Sequence, residues 1–196
     1  MVSFVLGILG FSLYLIYDVN SYTVRLGIFR LCYALGTVLI GAAACIQLCA
    51  AWKDGCFSGA GDIILLLLGT GALAMLVYCL FFALPFSDTY VGSSSEQPVC
   101  DRGFYALCRH PGVLCFFFMF LFWGLAAYPA PLLLQGMVFS LLNLAYAWFQ
   151  DRVTFPKTLS GYDEYRKRVP FLIPTKNSLD TAVRTLGRTD GKRKQP

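Results

Sequence analysis

Five apolar stretches, each near the roughly 20 residues a helix needs to cross the hydrocarbon core of a bilayer, decide what this chain can fold into. They run from about Met1 to Tyr17, Leu26 to Trp52, Ile63 to Phe86, Val113 to Tyr128 and Leu132 to Phe149. Composition agrees: of 196 residues, 57% are hydrophobic and 14% charged, where a soluble domain carries about 25% charged. A soluble globular enzyme is therefore excluded. The expected fold is all-α, a polytopic membrane protein of about five transmembrane helices. The first and fourth stretches are short, which implies tilt or local bilayer thinning. Pro129-Ala130-Pro131 separates the last two, and so small a gap forces a tight antiparallel hairpin. The first stretch lacks a basic n-region and a small-residue cleavage site, so it reads as a helix that stays rather than a signal peptide.

Lysine and arginine placement orients such a chain. Of the 16 basic residues, 11 follow Phe149, from Arg152 to Lys194. Arg25 lies in the first loop, Arg102 and Arg109 in the third, and only Lys53 in the second. With five spans, the first loop, the third loop and the C-terminus share the basic side. The N-terminus is expected outside and the C-terminal region in the cytoplasm, in the cell membrane of a prokaryote or the endoplasmic reticulum of a eukaryote. Arg30 can snorkel to the same face.

The single histidine, His110, rules out a multi-histidine metal site, and no metal is expected. The eight cysteines contain no CxxC pair. Gly41, Cys45 and Cys49 recur at i, i+4 and i+8, which reads as a small-residue stripe for close helix packing. Nothing in the chain calls for a nucleic-acid partner; the expected partners are the bilayer and a lipophilic acceptor.

Two polar segments carry the chemistry. The third loop, Ser87 to Gly112, ends in Gly103-Phe-Tyr105-Ala-Leu-Cys-Arg109-His110-Pro111-Gly112. Pro111 disfavours the helical conformation at His110 and suits the first position of the next helix. Free N–H groups of that helix start, beside Arg109 and His110, would suit an anion such as a carboxylate. The same residues also fit a plain helix start with an arginine reaching lipid phosphates. After the fifth stretch, Pro156 ends or kinks the helix. Ser160 and Asp163 suggest a cap for a short helix over about Gly161 to Arg168. Tyr162, Tyr165 and Val169 would line one face of that short interfacial helix. From Lys176 to Pro196 the chain is read as a disordered basic tail that can touch anionic lipid.

Taken together, the GxYxxxRHP run over residues 103–111 and the YxxYxxxVPxxIP run over residues 162–174, on either side of a helical hairpin, resemble the isoprenylcysteine carboxyl methyltransferase family. These are integral membrane enzymes that use S-adenosylmethionine, and five spans match the family's minimal type. The resemblance covers about Gln97 to Pro174. It divides the chain into a three-helix region (1–86), a cofactor-binding catalytic half (87–174) and the tail (175–196). It implies that Tyr105, His110, Pro111, Gly112 and Val113 contact the cofactor, with Gln97, Pro98, Val99 and Cys100 lining it largely through backbone. Arg109 matches the family's arginine. Ungapped counting from Tyr162 puts Gln150 and Asp151 at the glutamates that hold the cofactor's amino group. A gapped alignment instead matches Asp151-Arg152 to the Asp-Arg before them. Arg109 or Arg152 would then hold the acceptor's anionic group, with Tyr162 and Tyr165 beside the acceptor.

Three departures stand out. Val113 replaces the family's usual aromatic, Cys115 its glycine, and Gln150-Asp151 has one charge where the family has two. The implied reaction is methyl transfer to a lipophilic acceptor; a non-catalytic scaffold with the same fold is the alternative. A transporter ranks below both, because apart from Arg30 the stretches lack central ionisable residues.

Overall fold

The structure is a computed structural model and describes residues 1–83 and 97–185. It is all-helical except for one two-residue extended pairing. The long elements are α1 (Val2–Tyr22), α2 (Arg30–Lys53, entered through a short 3-10 turn Gly27–Phe29), α3 (Ala60–Phe81), α5 (Pro111–Ala126) and α6 (Leu132–Phe149). Between and after them lie β1 (Gln97–Pro98), α4 (Phe104–Leu107), α7 (Phe155–Thr158), β2 (Leu159–Ser160), α8 (Tyr162–Arg168) and α9 (Lys176–Thr185). Among the described residues, four helical runs are long and apolar enough to cross a membrane: Val2–Tyr22, Gly27–Lys53, Ala60–Phe81 and Leu132–Thr158. The fifth apolar helix, α5, has 16 residues and so rises only about 24 Å, against a hydrocarbon core of about 30 Å.

Helices α1 and α2 pack as one pair, α3 and α5 as another, and α6 packs against α5 and α1. The seam is aromatic. Phe139 of α6 meets Phe11 of α1 at 6.1 Å and Phe120 of α5 at 5.7 Å, both edge-on, the offset geometry that suits ring quadrupoles. Polar side chains fasten the helices where no water could serve them. Buried Gln135 donates to the Ala43 carbonyl at 3.2 Å, and Gln47 to Ser3 Oγ at 2.8 Å. Outward, α3 presents Ile63, Ile64, Leu67 and Leu68 exposed, which fits a helix that is apolar all round and faces lipid.

Four expectations change here. α1 continues to Tyr22 rather than stopping at Tyr17, and Asp18, just past the expected end, is buried. The Gly41-Cys45-Cys49 stripe is not a packing face. A Cβ at Gly41 would meet nothing within 4 Å, and both cysteines are exposed. Close approach occurs one turn earlier, where a Cβ at Gly36 would fall 2.7 Å from the Gly10 carbonyl oxygen and one at Gly10 would fall 2.9 Å from that of Gly36. Ser160 does not cap α8: Gly161 does, at φ +76°, with no side-chain cap bond.

The fourth change concerns the tail. Lys176–Thr185, expected to be disordered, forms α9 and packs on α4. Thr175 and Ser178 exchange reciprocal bonds at its start, Thr175 N–H to Ser178 Oγ at 2.9 Å and Ser178 N–H to Thr175 Oγ1 at 3.2 Å, a capping arrangement that nucleates a helix. Ser178 and Ala182 are buried against the neighbouring segment. The remainder of the tail, 186–196, and residues 84–96, which hold the expected end of the third stretch and the start of the third loop, lie outside the described residues.

Because the Gly10–Gly36 contact is backbone on backbone, Gly36→Val is expected to cost about 1–3 kcal/mol by overpacking. Gly41→Val, in open space, is expected to cost nothing measurable. Thermal unfolding in detergent, read by thiol exposure of buried Cys79 and Cys108, distinguishes the two.

Candidate functional site

The segment before α5 and the segment after α6 fold onto one another. β1 pairs in parallel with β2, Gln97 opposite Leu159 and Pro98 opposite Ser160. Arg109 N–H donates to the Pro170 carbonyl at 2.9 Å, and Tyr165 O–H to the Tyr105 carbonyl at 2.7 Å. Tyr105 O–H in turn donates to the Cys79 carbonyl on α3 at 3.0 Å. Tyr162, Tyr165 and Val169 form the expected buried face, packed with Val99, Phe155 and Leu159.

Asp151 is the hub of this layer. α6 does not end at Phe149 but widens into a π turn over Gln150–Thr154 before α7, with Pro156, which has no N–H to donate, just beyond. The turn places Asp151 in the interior, 2% exposed. Its Oδ1 lies 2.8 Å from Arg109 Nε and accepts from Tyr162 O–H at 2.6 Å; Oδ2 accepts from Arg109 Nη2 at 3.2 Å. Arg109 Nη1 donates to the carbonyls of Arg166 at 2.7 Å and Val169 at 3.1 Å. The guanidinium thus bridges α6's extension to the end of α8.

Beside the hub is a cavity of about 1320 Å³. Its apolar part lies between the α1–α2 and α3–α5 pairs, among Ile40, Leu48, Leu73, Leu76, Phe116 and Trp123. Its polar part is lined by Asp18, Arg25, Arg30, Tyr33, Gln150 and Lys157. Arg30 and Leu48 stand about 27 Å apart along α2 by the helical rise, so the space is elongated and amphiphilic.

Most of the residues singled out in the sequence border this cavity: Val99, Cys100, Tyr105, Arg109, His110, Pro111, Gly112, Val113, Gln150, Tyr162 and Tyr165. Gln97 and Pro98 belong to the β pairing that holds the two segments together. Asp151 is instead turned to Arg109, so the charge expected to meet a cofactor ammonium is neutralised within the protein. Arg152 is exposed and does not border the cavity. Arg109 borders it with most of its donors engaged. His110 is buried, its ring stacked on Phe155 at 5.7 Å and edge-on to Phe171 at 5.0 Å. Its Nε2 lies 3.7 Å from Asp151 Oδ1 and has no hydrogen-bond partner. Burial lifts the Cys108 thiol to about 11, which keeps it protonated and unreactive at neutral pH.

One residue escaped the sequence reading. Asp18 on α1 is 2% exposed, and its Oδ2 has no hydrogen-bond partner. The signal was present, since an acidic residue inside an apolar helix marks a site by default. Among the described residues no group of three or more His, Cys, Asp or Glu is placed to hold a metal ion. Compared with known proteins, the chain matches no family model, no curated protein and no solved structure.

Two outcomes follow from the hub. Asp151→Ala strands a buried guanidinium and is expected to cost about 3–5 kcal/mol, measured by thermal or denaturant unfolding in detergent. Burial, then the hydrogen bond to Asp151, raises the Tyr162 phenol above its ordinary range, and burial does the same for Tyr165. A phenol raised in the folded state stabilises fully below its unfolded value of about 10 and loses that contribution as pH climbs past it. The protein is therefore expected to destabilise above about pH 10, and Tyr162→Phe to flatten that alkaline fall in a Tm-against-pH series.

Proposed function

We propose that this chain is an integral membrane methyltransferase of the isoprenylcysteine carboxyl methyltransferase type, moving a methyl group from S-adenosylmethionine to a lipophilic acceptor. The observation that carries the reading is that the two motif segments, separated in sequence by the α5–α6 pair, border a single cavity with one polar and one apolar part. At about 1320 Å³ it exceeds the roughly 300–1,000 Å³ of a single-ligand pocket, which suits a soluble donor and a greasy acceptor held together. In this reading α5 completes a fifth span and forms a hairpin with α6. The N-terminus lies outside, and the basic first loop, third loop and C-terminal segment face the cytoplasm.

The residues present fit the donor at one end. His110, whose Nε2 faces Asp151 at 3.7 Å, borders the same space as Tyr105, Gly112 and Gln150. S-Adenosylmethionine, when bound, supplies a methyl group on a positively charged sulfur, and its transfer is an in-line displacement that asks little acid–base help. The protein's task is alignment and exclusion of water, and such proximity can contribute about 7–11 kcal/mol. Phe116, Met119 and Trp123 would keep the apolar part dry, while Arg25 and Arg30 offer cations to an anionic group of a bound ligand. Arg152, off the cavity, has no part in this version, and Arg109 acts as a positioning residue through Asp151.

One observation favours the second reading, a non-catalytic scaffold: the motif's arginine and the remaining acid neutralise each other. Calorimetry with S-adenosylhomocysteine on detergent-solubilised protein tests the donor site. Binding to the wild type, weakened at least tenfold in His110→Ala, is expected; no heat from the wild type at millimolar ligand would end the donor claim.

A further inference from the structure

The polar part of the cavity contains a carboxylate that neither motif accounts for. Asp18 is 2% exposed on the inner face of α1, with Oδ2 lacking a hydrogen-bond partner. Gln150, Tyr146 and Thr154 of α6 and its extension turn neutral hydrogen-bonding side chains toward the carboxylate, while Oδ2 itself has no hydrogen-bond partner. The contrast with Asp151, equally buried, is instructive. Both oxygens of Asp151 are met by Arg109, and one also by Tyr162. A carboxylate kept for structure looks like Asp151, because a buried charge is costly unless it is paired.

The surroundings of Asp18 specify the missing partner. Tyr14, Tyr17, Tyr33 and Tyr146 border the same cavity and form one ring cluster. Tyr14 lies 4.9 Å from Tyr33 and 5.4 Å from Tyr146, and Tyr17 lies 5.4 Å from Tyr33. Of these, Tyr17 and Tyr146 lie close enough to act on the Asp18 carboxylate, and electron-rich rings beside a carboxylate favour an organic cation over an anion. Lys157, a turn further along α1's surface, does not fill the role: its Nζ sits over the Tyr22 ring at 4.2 Å. Arg25 and Arg30 border the same cavity and are suited to a negative group elsewhere on the same ligand.

We propose that Asp18, with the tyrosines around it, is a binding site for the ammonium group of a zwitterionic ligand. Two sources share that chemistry: the amino-acid end of the methyl donor and an amine-bearing phospholipid headgroup. The site stands without the methyl-donor reading, and if the donor is its occupant, Asp18 takes the place of the charge that Asp151 spends on Arg109.

Full-length protein in nanodiscs separates the sources. One arm titrates S-adenosylhomocysteine by calorimetry into wild type and Asp18→Asn. The other measures, by native mass spectrometry, retention of phosphatidylethanolamine over phosphatidylglycerol by the same two proteins. A loss of tenfold or more in Asp18→Asn is expected in one arm: the first assigns the donor's ammonium, the second a lipid headgroup. Asp18-dependent lipid retention by a protein silent to S-adenosylhomocysteine would keep the ammonium site and remove the methyl donor. Binding unchanged by Asp18→Asn in both arms, or no binding by wild type in either, overturns the site. If Asp18→Asn does not fold, wild type with S-adenosylhomocysteine against its deaminated analogue, alongside the lipid preference, makes the same comparison. A tenfold weaker analogue or a preference for the amine lipid supports the site, and equal affinity with no preference overturns it.

Discussion

A buried ion pair ties together the two segments that flank the α5–α6 pair. Asp151 and Arg109 face each other at 2.8 Å, at 2% and 9% exposure, and each is tied to a further segment: Asp151 to Tyr162, Arg109 to the carbonyls of Arg166 and Val169. Neither charge could be buried alone. The pairing fixes how the stretch before α5 meets the stretch after α6, and that meeting forms one wall of the cavity. The π turn at Gln150–Thr154 belongs to the same constraint, since it carries Asp151 inward beside Gln150, which borders the cavity.

The ion pair also divides the motif residues into two kinds. Arg109 and Asp151 hold the wall; His110, Tyr105, Gly112 and Gln150 border what it encloses. A guanidinium with most of its donors engaged within the protein is a poor receptor for an acceptor's carboxylate, and a neutralised carboxylate is a poor receptor for an amine. Charges of both signs line the cavity elsewhere, Asp18 on α1 and Arg25 and Arg30 around the start of α2.

Much of the architecture was legible in the sequence because apolar length is a strong signal. All five stretches are helices, and the Tyr162–Tyr165–Val169 face is buried as its spacing implied. Most of the motif residues border one cavity, since the short α5–α6 connection brings their two segments to the same end of the helices. Other features were illegible for physical reasons. Asp18 fell outside an apolar stretch bounded at Tyr17, although a packed helix face can enclose a polar group. Spacing alone made Gly41-Cys45-Cys49 a packing stripe, but which face of α2 meets α1 depends on tertiary fit, and Gly36 is the residue in contact. The helix at Lys176–Thr185 carried a weak apolar signal at Leu179, Ala182 and Val183 and a Thr175–Ser178 cap, both overshadowed by its basic composition. Nothing local in Gln150–Thr154 announced a π turn, and hence which way Asp151 would face.

The central claim is that this cavity performs chemistry rather than merely existing. Its most direct measurement is transfer of a radiolabelled methyl group from S-adenosylmethionine by the purified protein into a native membrane lipid and lipoprotein extract. The account predicts label in an organic-soluble product that depends on the protein. Label no higher than in a protein-free control, from a preparation that still binds S-adenosylhomocysteine, would contradict it and leave a folded scaffold that holds a ligand without turning it over.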